Sequence, residues 1–166
     1  MREEIKVKVE IDKEEVWEEV KKIAVYTGAN RMRGVRVNEA GEAVDEGVLG
    51  YEGMMLVDEA HFDLRRWFKE LLRTLTGLLH EYVDDVKFTD KGGTVQLQMQ
   101  MPGNYQGEMT PVVNEGVYWY LVNGLVGKWF GIVNREEEEK YMAMATEKAR
   151  EILVALSQRR RPERDI

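Results

Sequence analysis

"YWYLVNGLVGKWFGIV", residues 118–133, is almost wholly apolar, interrupted by Gly124, Gly127, Gly131, Asn123 and the single charge of Lys128. Crossing the hydrocarbon core of a bilayer takes about 20 such residues. This run is shorter, carries Asn123 and Lys128 inside it, and leads straight into "NREEEEK". It reads as a buried helix of a soluble domain, with no membrane contact.

Its flanks fix its limits. Thr110 and Pro111 form an N-cap and first-turn pair that opens the helix, which then runs to about Val133. Asn134 followed by Glu137 is a capping box for the next helix, where Tyr141, Ala145, Ala149, Ile152, Leu153 and Leu156 form one stripe. The two helices are expected to pack as an antiparallel hairpin. Gly124, Gly127 and Gly131 stand three and four apart on one side of the first, which lets a neighbouring backbone approach closely, with Ala145 and Ala149 as suitable partners. A mid-helix glycine costs about 1 kcal/mol relative to alanine, so close packing against the next helix or a neighbouring subunit is the reason to expect three of them there.

Upstream, Asp58 is positioned to cap a long helix in which Phe62, Trp67, Phe68, Leu71, Leu75, Leu78, Leu79 and Tyr82 recur at three- and four-residue steps. "VKFTD" and "GTVQLQMQM", joined through Lys91, Gly92 and Gly93, read as a hairpin. In its second arm Val95, Leu97, Met99 and Met101 face one way and Gln96, Gln98 and Gln100 the other. "EIKVKVEI" near the N-terminus alternates in the same manner, so a three-stranded antiparallel sheet is expected. Asp12 with Glu15 then forms a capping box for a first helix through Val16, Val20, Ile23 and Ala24, with Gly28 placed to end it.

The fold class is therefore α+β, with four helices and a small antiparallel sheet. The 166 residues, 43% hydrophobic and 33% charged, suit a single domain spanning 1–166. A flexible, glycine-rich acidic loop is expected at about 30–57. "MREEIKVKVEID" has no apolar signal-peptide core, so a cytoplasmic location is expected. Without cysteine there are no disulfides, thiolate metal sites or cysteine nucleophiles.

The net charge of −7 argues against a protein that coats nucleic acid. Its distribution is uneven. Arg31, Arg33 and Arg36 form a basic patch, and the acids Glu39, Glu42, Asp45 and Glu46 follow with no Lys or Arg among them. The tail brings Arg159, Arg160 and Arg161 just before Pro162, offering a weak contact to nucleic-acid backbone or to an acidic partner.

Catalytic signals are sparse. His61 and His80 lie nineteen residues apart on one helix and point about 100° apart, so they cannot share a metal. His80 with Asp84 lacks a third histidine or a cysteine, so no metal or cofactor is assigned. The chain's only serine, Ser157, is in no nucleophile elbow. Glu136 to Glu139 open a helix whose end carries the arginines, an arrangement the helix dipole favours.

Four segments carry a resemblance: "YTGA" at Tyr26 to Ala29, "VGKWF" at Val126 to Phe130, "NREEEEKY" at Asn134 to Tyr141 and "RRRP" at Arg159 to Pro162. In them the chain resembles uncharacterised prophage proteins of virion-assembly clusters, and the helices at Asp58 to Tyr82 and Thr110 to Arg135 loosely resemble those of head–tail connector proteins of the phage neck. The chain departs from the connectors in its N-terminal strand and helix, its acidic insertion and its long last helix. The resemblance implies a non-enzymatic structural or assembly protein, found in the host cytoplasm during assembly and then in the virion. Its partners would be copies of itself in a ring and other virion proteins such as the portal, with contacts at Arg31, Arg33, Arg36, Glu39, Glu42, Asp45, Glu46, Arg159, Arg160 and Arg161. The alternative is a small-ligand or metal-binding module, including a metal-dependent enzyme, with the acidic loop and His80 as its site.

Overall fold

The computed structural model describes residues 4–33, 61–88 and 93–159. Strand β1 (Glu4–Asp12) leads into helix α1 (Lys13–Arg33), and helix α2 (His61–Leu78) is followed by strands β2 (Val83–Phe88) and β3 (Thr94–Pro102). A 3-10 turn (Gly107–Met109) then opens helix α3 (Thr110–Val133), which is followed by helix α4 (Arg135–Ser157). The class is α+β, with four helices and a small antiparallel sheet among the described residues.

β3 is the central strand, in the order β1-β3-β2. Val7 pairs with Met99, Val9 with Leu97 and Ile11 with Val95, so the alternation in both strands places all six side chains on one buried face. The opposite face carries Lys8, Glu10 and Gln96, where the Gln96 amide donates to Glu10 at 3.2 Å. β2 joins the other edge of β3 with a register shift between Val83 and Asp85.

α3 lies at the centre of the helical layer and touches α1, α2, α4 and β1. This explains why the run 118–133 is so largely apolar: a helix with neighbours on most of its sides has little polar face to present. Val117, Leu121, Val122, Leu125 and Val126 are completely buried. Lys128 escapes along the edge, where its ammonium meets Glu70 of α2 at 3.2 Å. No helix among the described residues is long and apolar enough to cross a membrane.

Several boundaries differ from those expected. α1 continues through Gly28 to Arg33, so residues 30–33 are helical and do not belong to a loop. A lone glycine costs about 1 kcal/mol, and "ANRMR" contains good helix formers and no proline to enforce a stop. The cap Asp58 lies outside the described residues. On α2 the buried stripe is Leu64, Phe68, Leu71, Leu72 and Leu75, continued by Leu79 in the turn that follows, while Leu78 is 49% exposed. Thr110 is the first residue of α3 and not its cap: the preceding 3-10 turn leads straight into the helix, and the Thr110 hydroxyl lies 3.3 Å from that of Tyr105.

The caps follow local chemistry more closely. Asp12 accepts from the Glu14 amide at 2.9 Å. Asn134 breaks the chain between α3 and α4 in an extended conformation and accepts from the amides of Glu136 and Glu137 at 2.9 and 3.2 Å. The reciprocal half of that capping box is pre-empted, because the Asn134 amide donates to the carbonyl of Phe130 at 2.6 Å. Asn134→Ala should lower stability by about 1 kcal/mol, measured by urea unfolding, since two amides of α4 lose their acceptor.

The α3–α4 pair is antiparallel and closely packed. A Cβ built on Gly127 would lie 2.7 Å from the sulfur of Met142, and one on Gly131 would lie 3.1 Å from the Glu138 carboxyl carbon, both on α4. Gly116, nearer the start of the same helix, would meet Ile152 at 2.7 Å. Gly124 differs: its neighbour is Leu71 of α2, at 2.7 Å. Glycines at helical spacing thus serve two different partners, and Ala145 and Ala149 are buried on α4 without being among the atoms nearest to any of these glycines.

Candidate functional site

α1, α3 and α4 leave an open groove of about 730 Å³ between them, within the range of ligand pockets, roughly 300–1,000 Å³. Its floor comes from one face of α3: Val112, Gly116, Trp119 and Asn123 recur at three- and four-residue steps. Ile23 with Glu19 and Lys22 forms the α1 wall, and Tyr141, Met144, Lys148 and Glu151 form the α4 wall. Residues 112 to 123 place the length of the floor at roughly 16 Å, from the helical rise. Val112 and Met144 remain 47% and 43% exposed, so apolar surface faces solvent along it.

The polar groups are arranged unevenly. Lys148 is tied to Glu151 at 3.0 Å along the α4 rim. Beside the groove and not lining it, partial burial and then the charges of Glu19 and Glu15 hold the pKa of the Tyr118 phenol above its ordinary value. The phenol stays neutral near pH 7, stands edge-on to Trp119 with ring centroids 5.2 Å apart, and donates a long 3.5 Å contact to the Glu15 carbonyl.

Asn123 is the unusual member. It is 3% exposed and the one buried polar side chain among the described residues, and it lines the groove. Of the two polar interruptions in the central helix, Lys128 meets Glu70, while Asn123 lines the groove. Sequence reasoning registered Asn123 as an argument against a membrane span and missed it as a site residue. A single carboxamide within an apolar run was the signal available.

The residues expected to make contacts lie elsewhere. Arg159 closes the end of α4, its guanidinium donating to the carbonyls of Leu156 and Gln158 at 2.6 and 3.0 Å while its backbone bridges to Tyr105. Arg31 and Arg33 sit on the last turn of α1, with side chains outside the described set, and Arg36, Glu39, Glu42, Asp45, Glu46, Arg160 and Arg161 fall wholly outside the described residues. His80 is exposed, its ring nitrogen 3.1 Å from the carbonyl of Gly77. Among the described residues no three His, Asp or Glu side chains gather as a metal site requires. No protein-family profile matches the chain, and no curated protein and no solved structure matches it.

Proposed function

We propose that this chain is a non-enzymatic assembly protein of a phage or prophage virion, working through contacts with other chains. A subunit of the head–tail connector or neck is the specific role its segments resemble, with copies of itself and the portal as partners. It would act in the host cytoplasm during assembly and remain in the virion. The observation that carries this reading is the groove between α1, α3 and α4, where Val112 and Met144 keep apolar surface open to solvent. Apolar surface gathered in a groove and rimmed by charge is the usual form of a site for another molecule.

Co-assembly with portal and neighbouring neck proteins tests it. The parent should enter particles. A variant carrying Arg160→Glu and Arg161→Glu, which spares the capping role of Arg159, should enter less, and so should one lacking residues 36 to 52. Added salt should weaken incorporation, because contacts between exposed charges are screened within about 10 Å at 0.1 M. Failure of the parent to enter any particle would remove the virion reading. Equal entry of all three proteins would remove the assignment of contacts to the basic tail and acidic segment.

A further inference from the structure

We propose that the outer edge of β1 pairs antiparallel with the same edge of a second copy of this chain, two-fold symmetric about Val9, joining two sheets into one. In the order β1-β3-β2 the strand β1 is an edge, and among the described residues no strand pairs with its outer side. Such an edge is a template for another strand. Just past it, the Lys13 amide donates to the carbonyl of Gly93 at 3.1 Å, in the register that sets Ile11 opposite Val95 and Val9 opposite Leu97. In an antiparallel pair, alternate residues hold the neighbouring strand. The odd-numbered residues of β1 therefore bond to β3, while Lys6, Lys8, Glu10 and Asp12 turn their N–H and C=O groups to the open side.

The side chains of those four residues decide the partner. All are exposed, and along the strand they read as two bases followed by two acids. A two-fold contact sets residue i against j and j against i. Centred on Val9, it places Lys6 opposite Asp12 and Lys8 opposite Glu10 of the second copy, each twice over, with Val7 opposite Ile11 in the apolar row. Every exposed pair is then of opposite sign, which favours the pairing. Sliding by two residues one way sets Lys8 against Lys8, and the other way sets Glu10 against Glu10. A slip of one residue sets the charged row of one copy beside the apolar row of the other. Lysines alone on an edge keep other strands away, whereas this order of charges admits one symmetric register. The contacts these groups already make are readily exchanged. Lys8 meets Glu10 of its own strand at 3.0 Å with the two side chains 48% and 53% exposed, and such surface pairs contribute little. Asp12 uses one carboxylate oxygen to cap Glu14 and keeps the other.

Sedimentation of the full chain over a concentration series tests the contact. The parent should pass from a mass of 19.3 kDa toward twice that as concentration rises. Lys8→Glu alone and Glu10→Lys alone each set like charges opposite one another at two places, and each should weaken dimerisation about tenfold or more. An equimolar mixture of the two variants restores opposite charges at both places across the mixed dimer, so it should associate as well as the parent. Each variant still lacks its own Lys8–Glu10 pair in that mixture, so recovery can come only from contact between chains. Both variants should melt within about 2 °C of the parent, because exposed substitutions shift stability little. A parent that keeps the single-chain mass up to millimolar concentration overturns the proposal, as do variants that dimerise like the parent or a mixture no better than its components. The contact follows from the edge and its charges alone, so it stands or falls apart from the virion reading: a protein excluded from particles that dimerises in this pattern loses that reading and keeps this one.

Discussion

Replacing Phe68 with alanine should lower the unfolding free energy by about 3–5 kcal/mol. The ring is 1% exposed on the buried face of α2 and packs at 5.9 Å, tilted, against Trp17 of α1. It therefore ties together two helices that the chain separates by the acidic segment. Truncation removes apolar area from the core and leaves a hole that the tightly held Leu64, Leu72 and Leu75 cannot refill. Domains are stable by only about 5–15 kcal/mol in total, so the loss is a large share of the whole. Thermal unfolding should show a midpoint lowered on the order of 10 °C for a chain of this size. A shift below about 2 °C would mean that α1 and α2 do not share one core at this position.

Gly127→Leu should cost about 1–3 kcal/mol through overpacking. A Cβ at this position would stand 2.7 Å from the sulfur and 3.0 Å from Cγ of Met142, and 3.3 Å from that residue's backbone nitrogen. A methionine side chain can swing away; a helix backbone cannot, so a larger residue must push α4 off α3. Gly131→Ala is the informative control. Its added methyl meets only the carboxylate end of Glu138, on a rim where that side chain can turn to solvent. There the gain in helix propensity, up to about 1 kcal/mol, should prevail and raise stability. Urea unfolding of the two variants should thus give opposite signs. Loss of stability in Gly131→Ala, or none in Gly127→Leu, would contradict the close-approach geometry of the hairpin.

Much of this fold can be read locally. Alternation in "EIKVKVEI" and "TVQLQMQM" specifies strands because side chains on a pleated backbone repeat every two residues, whatever the rest of the chain does. Asp12 and Asn134 mark helix starts because a short side-chain acceptor satisfies amides only two or three residues away. The α3–α4 hairpin follows from the single-residue break at Asn134 between two apolar helices. Gly28 misled because a glycine is a helix stop only where its neighbours also fail, and the residues after it sustain the helix.

The sequence by itself determined the elements, the buried faces of the two long strands and the helical hairpin, since each depends on residues a few positions apart. Tertiary structure alone decided that β3 is central, that Gly124 meets Leu71 of α2 while Gly127 meets Met142 of α4, and that α3 touches α1, α2, α4 and β1 together. It alone joined Ile23, Trp119, Asn123 and Met144, residues from three helices, into one groove. The physical reason is that periodicity tells a helix which faces to bury but not which partner will cover each one. That choice is made by shape and volume when the whole core closes, and a groove is what remains where no partner arrives.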